Sequence, residues 1–236
     1  MKTLVPNMIT CGNMLSGMLS LVLAFHGHFV PASWLVFFAV FFDFMDGKMA
    51  RKLGGSSSFG MELDSLADVV SFGVAPAMII YSVYLKGFFG VTGALVAAFF
   101  ALCGALRLAR FNVHHVDGSF QGLPIPAGGH LLVSFVVAGI HLPPVLMALL
   151  VTATGFLMIS SVPFGNLKAL KAGSLNKRKA VFMWASAFIL IAVLRNKAPL
   201  AGMLIYIISG FAGVDWGKWL SLEEMAEEED LAEEDT

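Results

Sequence analysis

The stretch FDFMDGKMARKLGGSSSFGMELDSLADVVSFG, residues 42–73, decides how this chain is read. Apolar runs flank it, SWLVFFAVF before and VAPAMIIYSVYL after, yet it carries Asp43, Asp46, Asp64 and Asp68. Around it lie 236 residues, 58% hydrophobic and 13% charged, with a mean hydropathy of +0.81. Soluble domains are about a quarter charged, so composition alone points to an integral membrane protein.

A helix needs about 20 apolar residues to cross the hydrocarbon core. Eight such runs are readable, at about 4–25, 31–50, 63–84, 89–110, 124–142, 143–162, 179–195 and 198–214. Only HLPP separates the fifth from the sixth. The expected fold is all-α, a polytopic transmembrane bundle. The first run has no basic n-region or small-residue cleavage site and reads as a full span. Cys11 and Cys103 both fall inside spans, so no structural disulfide is expected.

Charge divides the chain into a transmembrane domain, 1–215, and an acidic tail, 216–236. Residues 222–236 hold nine acidic side chains and no basic one, which reads as a solvated tail. Residues 1–221 hold all 15 Lys and Arg against seven acids. With the N-terminus in the cytoplasm, all of these cations except Lys86, Arg195 and Lys197 fall on that side. Both termini and the segments 51–62, 111–123 and 164–179 are therefore expected to be cytoplasmic, in the plasma membrane.

The aspartates are three and four residues apart, and such spacings put side chains on one helical face. Asp43, Asp46, Gly47 and Ala50 form one stripe; Gly60, Asp64 and Asp68 form another. The short glycine-rich link RKLGGSSS makes the two helices expected antiparallel neighbours, with the acids facing each other. A carboxylate at a helix centre costs roughly 2.5–3.5 kcal/mol on insertion scales. Four together also repel, and divalent cations relieve both costs. Hard oxygen donors suit Mg²⁺ or Mn²⁺, with two ions about 3.5–4 Å apart a familiar arrangement for phosphate chemistry. The small residues leave room for a ligand, and Arg51 adds a cation suited to phosphate. A single intramembrane aspartate could be helix-packing glue; four in phase on adjacent spans point to a site.

The pattern Asp43-x2-Asp46-Gly47-x2-Ala50-Arg51-x8-Gly60-x3-Asp64-x3-Asp68 resembles the signature of the CDP-alcohol phosphatidyltransferases, with every specified position filled. PNMITCGNMLSG, ELDSLADVVSFGVAPA, LRLARFN and FQGLPIPAGG are similar to bacterial and archaeal phosphatidylserine synthases within that family, and SSVPFGNLK less closely. The likeness covers roughly residues 5 to 170. It implies a six-helix core with two further helices, and transfer of a phosphatidyl group from CDP-diacylglycerol to L-serine with release of CMP. Asp43, Asp46 and Asp64 would ligate metal. Asp68 would complete the site and act as general base. Gly47, Ala50, Arg51 and Gly60 would line the CDP pocket. The expected partners are the two substrates, CMP and membrane lipids, with a homodimer common in the family and no nucleic acid.

Serine carries a carboxylate, which an arginine can hold in bidentate fashion. Arg107 and Arg110, followed by Asn112, close the fourth span, and either function or positive-inside anchoring explains them. Lys168 is a further candidate within a basic cluster that also suits anionic lipid. Pro6, Asn7, Thr10 and Asn13 put polar groups on the first span, facing either the nucleotide or neighbouring helices; the resemblance favours Asn7 and Thr10 as nucleotide contacts. Pro124, Pro126, Gly128 and Gly129 fit helix entry and packing as well as substrate contact. His114 and His115 read as solvated loop residues, and His130 as satisfied by a neighbouring helix.

Two other readings compete. A related transferase could accept glycerol 3-phosphate or inositol phosphate, or use an ether-linked archaeal-type lipid donor. A divalent-metal transporter could use the acids as an ion site, but no inverted repeat is found.

Overall fold

A computed structural model describes residues 4–53, 57–89, 91–113, 122–162, 164, 176–214 and 219. Lys168, His114, His115 and, apart from Trp219, the acidic tail lie outside the described residues. The chain is an all-α polytopic membrane protein, with no strand among the described residues. Its helices are α1 (Leu4–Phe25), α2 (Phe29–Lys52), α3 (Ser58–Asp68), α4 (Ala75–Ile80), α5 (Lys86–Phe89), α6 (Val91–Val113), α7 (Ile125–Val137), α8 (Pro144–Ile159), α9 (Lys177–Leu194) and α10 (Ala198–Phe211).

Among the described residues, five helical stretches are long and apolar enough to cross a membrane: α1, α2, Ser58–Leu85, α6 and Arg178–Phe211. The last joins two of the expected runs through a 3-10 turn at Arg195–Lys197. The fifth and sixth runs became the shorter helices α7 and α8. Gly139, at φ +65°, ends α7, and its N–H and that of Ile140 bond back to Val136 O and Phe135 O. The left-handed cap is a position glycine tolerates best. Pro143 and Pro144 then open α8, so the HLPP boundary is set by a glycine stop and a proline start.

In a bilayer the outward face of a helix is apolar by default, so polar residues, more than apolar ones, mark the packed faces. Phe38, Leu102, Leu149 and Phe188 are exposed, as lipid-facing side chains are. Ser16 Oγ donates to Leu35 O at 3.0 Å and Ser20 Oγ to Ala32 O at 2.8 Å, fastening α1 to α2. Almost every residue of α7 is buried, and its neighbours are the third span, α2, α8 and α10. A helix apolar all round belongs at the centre of a bundle. The core gathers Phe72, Phe100, Leu132 and Met158 about it. Both cysteines are free, Cys11 exposed and Cys103 buried.

The third span is α-helical to Asp68, then π-helical over Val69–Val74 and again over Tyr81–Leu85. Pro76 has no N–H for Phe72 O, the bond an α-helix would make there. Instead Ala75 N–H reaches Val70 O, the wider π spacing. Gly129 of α7 fills the space beside Phe72 O; a Cβ there would stand 2.5 Å from that oxygen. Gly17 of α1 makes the matching approach on another face of the same turn, where a Cβ would stand 2.7 Å from Ser71 Cα. Ser71 Oγ donates to Asn13 O at 2.9 Å, locking the crossing.

Substituting Gly17→Ala should cost about 1–3 kcal/mol through overpacking, more than the roughly 0.5–1 kcal/mol alanine gains over glycine in a helix. The expected reading is a lower Tm of the purified protein in detergent. An unchanged or raised Tm would contradict the close crossing.

Candidate functional site

Ser57 caps the N-terminus of α3, its Oγ accepting from Gly60 N at 3.0 Å. The cap satisfies one of the orphan donors of a helix start and sets the register that follows. Asp64 and Asp68 then fall one turn apart on one face. Asp43 and Asp46 are likewise one turn apart near the end of α2.

One carboxylate oxygen from each of Asp43, Asp64 and Asp68 lies within 4.8 Å of the others. Asp43 and Asp64 are half-buried, and Asp68 is 8% exposed. Asp46, 5% exposed, stands outside this trio but within electrostatic range of Asp68. The two stripes do converge, yet not as closely packed neighbours. α2 meets the third span at Val69–Ile80, beyond Asp68, and beside the acids each helix packs chiefly on α1. The physical reason is space: facing carboxylates need a gap in which charge can be neutralised.

At an effective dielectric of about 20, two unit charges 4.8 Å apart repel by about 3.5 kcal/mol. Three ionised carboxylates form three such pairs. The donor set is all hard oxygen, drawn from two helices, and it fits a divalent cation of the Mg²⁺ or Mn²⁺ kind.

The residues expected to meet a nucleotide lie on the helices α1, α2 and α3. Asn7 and Gly60 face each other closely: a Cβ on Gly60 would lie 3.0 Å from Asn7 Oδ1. A Cβ on Gly47 would meet only Arg51, whose Nη1 would be 3.6 Å away, so that face of α2 is open. Ala50 is half-buried and Arg51 exposed beside it. Thr10 is buried and donates its hydroxyl hydrogen to Pro6 O at 3.1 Å.

The two arginines of α6 take different directions. Arg107 is 7% exposed and within electrostatic range of Asp68. Arg110 is exposed and donates from Nη1 to Ile159 O at 3.2 Å, capping the C-terminus of α8. A cation on the last carbonyls of a helix is a favourable structural role. Asn112 Nδ2 donates to Ser65 Oγ at 3.0 Å, tying the end of α6 to α3. His130 is buried, stacked on Phe37 at 4.6 Å between ring centroids, with Nε2 3.3 Å from Val36 O. It is satisfied by α2 and stands apart from the acids, as expected.

Asn13 is expected to face either the nucleotide or a neighbouring helix, but its particular partner, and the place of Tyr206 by Arg107, escape a reading by residue pattern. Asn13 Nδ2 donates to Asp68 Oδ1 at 3.1 Å, a contact across 55 residues of sequence that helix spacing cannot reveal. Tyr206 of α10 lies within electrostatic range of Arg107, and a lone tyrosine in an apolar span carries no signal of this.

A family model described as CDP-alcohol phosphatidyltransferase matches residues 3–214. A protein of Bacillus subtilis strain 168 named CDP-diacylglycerol--serine O-phosphatidyltransferase is 39% identical over 167 residues, covering 70% of this chain and 91% of that protein. One of the same name from Methanocaldococcus jannaschii is 42% identical over 162 residues, covering 68% and 73%. An archaetidylserine synthase of Methanothermobacter thermautotrophicus is 40% identical over 172 residues, covering 72% of each chain.

Mn²⁺ titrated into the purified protein and followed by electron paramagnetic resonance should saturate a site. Asp64→Asn should weaken it by more than the roughly 10–100-fold typical of losing an outer-shell partner. Equal affinity in the variant would exclude the carboxylate trio as the metal site.

Proposed function

The chain belongs to the CDP-alcohol phosphatidyltransferase family, and from that premise we propose that it transfers a phosphatidyl group from CDP-diacylglycerol to the hydroxyl of L-serine. The products are phosphatidylserine and CMP. The observation that carries the reading is the gathering of Asp43, Asp64 and Asp68 within 4.8 Å beside the buried Arg107. The names of the relatives support the acceptor: the transferases and the archaetidylserine synthase differ in the lipid named and share serine.

In this reading the serine hydroxyl oxygen attacks the lipid-side phosphorus. A bond forms from that oxygen to phosphorus, and the bond from phosphorus to the bridging oxygen breaks. CMP leaves with the bridging oxygen and its electron pair. Asp68 receives the hydroxyl proton, as general base. A divalent cation, held by Asp43, Asp64 and Asp68 with Asp46 adding charge nearby, would supply neutralisation of charge on the phosphoryl oxygens. Asn7, Thr10, Gly47, Ala50, Arg51 and Gly60 hold the CDP group, the small residues leaving room for it and Arg51 matching its charge. Arg107 holds the serine carboxylate, a monoanion that a single guanidinium can match in bidentate fashion. Arg110 and Asn112 fix the rim of this pocket, and the sequence offers Lys168 as a further cation for the serine carboxylate. The site and both termini face the cytoplasm, residues 1–215 carry the transferase, and 216–236 form an acidic tail.

The test follows CMP release from CDP-diacylglycerol by purified protein offered L-serine, glycerol 3-phosphate, inositol, inositol phosphate or no acceptor. Serine-dependent release that chelation abolishes is expected. Release with another acceptor instead would overturn the serine pocket while keeping the acids. Asp68→Asn should lower kcat by about 10²–10⁴-fold. Arg107→Ala should raise KM for serine by roughly 10–100-fold, the worth of a charge-assisted hydrogen bond, and leave KM for the lipid nearly unchanged. A variant lacking all four aspartates that kept full activity would end the proposal.

A further inference from the structure

Asn13 lies outside the acid motif and bonds directly to one of its carboxylates. It is fully buried in α1, and its Nδ2 donates to Asp68 Oδ1 at 3.1 Å. Its Oδ1 is also buried and has no hydrogen-bond partner among the described residues. A carboxamide kept only to hold helices together would use both halves, because an unsatisfied buried oxygen is costly. Here the fold spends the donor half on one carboxylate oxygen and leaves the acceptor half over.

The backbone around Asn13 is fixed independently of that side chain. Ser71 Oγ donates to Asn13 O at 2.9 Å, and Gly17, one turn along α1, lies against Ser71. The same crossing therefore sets the height and rotation of Asn13 relative to Asp68. Asp68 in turn stands at the junction where α3 gives way to the π-helical turn Val69–Val74. Asp68 makes no capping bond within its own helix there, so its side-chain rotamer is open to being set by a partner on another helix.

We propose that Asn13 is a positioning residue, holding the Asp68 carboxylate in one rotamer so that it meets Asp43 and Asp64. This rests on the reading of Asp68 given under Proposed function. Asn13 acts through Asp68, as an outer partner of a ligand and proton acceptor, and not on the substrate. Partners of that kind orient the groups that do the chemistry, and their loss typically lowers metal affinity or activity by 10–100-fold. The crossing and the carboxamide have separable effects, because the Ser71 bond supports the helix pair without touching the acid.

The experiment compares Asn13→Leu, Asn13→Ala and Ser71→Ala with the parent protein in detergent. Three quantities are read: Mn²⁺ affinity by electron paramagnetic resonance, kcat and KM for CDP-diacylglycerol, and Tm. Both Asn13 variants are expected to weaken Mn²⁺ binding and lower kcat by about 10–100-fold, with KM for the lipid held within about threefold. Ser71→Ala is expected to lower Tm while leaving Mn²⁺ affinity and kcat within about twofold. Leucine fills the volume of the amide and alanine relieves any crowding, so if the first does not fold the second decides by the same numbers. Asn13 variants with unchanged Mn²⁺ affinity and kcat overturn the proposal. So does a Ser71→Ala variant that reproduces the whole loss, since the helix crossing would then suffice to explain it. Asp68→Asn, measured alongside, separates the two readings. If it is active, the assignment of Asp68 fails; if it is inactive and the Asn13 variants are normal, only the positioning role fails.

Discussion

Everything at the acid site depends on how closely α1 can lie against the third span. Lipid tails give helices no hydrophobic reason to associate, so adhesion comes from close packing and interhelical hydrogen bonds. Gly17 removes the side chain that would hold α1 off Ser71, and Ser71 then bonds the backbone of Asn13. Ser16 and Ser20 fasten the other side of α1 to α2. α1 thus acts as the common wall against which both acid-bearing helices stand. The carboxylates converge because each helix is referenced to α1, although beside the acids the two pack little on each other.

That arrangement answers the electrostatic problem posed by aspartates in an apolar chain. Direct packing of α2 on α3 would press like charges together with no room for a counter-ion. A wedge walled by α1 keeps the acids within 4.8 Å of one another while leaving a face of small residues, Gly47 and Gly60 among them, beside them. The buried guanidinium of Arg107 lies within range of Asp68 and offsets part of the charge. A buried arginine is itself expensive unless charge or hydrogen bonds surround it, so acids and arginine each make the other tolerable.

Much of this was legible in the residues. Apolar run length located the helices, and the spacing of the aspartates pointed to the cluster that Asp43, Asp64 and Asp68 form, because both signals are periodic and local. The helix ends around HLPP were not legible from hydropathy, since both flanks are apolar; Gly139 and the prolines decide them through backbone conformation. The expectation that α2 and α3 would be close neighbours came from their short connection, which limits distance but not tilt. Arg107 and Arg110 look equivalent at three residues apart, yet the rotation of α6 buries one against the acids and sends the other to the end of α8. The Asn13 to Asp68 bond depends on a tertiary crossing, and no spacing rule reaches it.

The same logic accounts for the C-terminal helix α10, which lies beyond the stretch carrying the family's recognisable phrases. It packs on α7, the buried centre of the bundle, and Gly210 lets Phe164 lie flush against it. Its Tyr206 stacks towards Phe164, with ring centroids 6.0 Å apart, and lies within electrostatic range of Arg107. α9, by contrast, packs mainly on α10 and is exposed along most of its length. The two last helices are therefore unequal partners. α10 brings the phenol of Tyr206 within electrostatic range of Arg107, where an aliphatic side chain would add only hydrocarbon. A cation that must stay charged inside a bilayer needs polar company, and α10 adds some to that of Asp68.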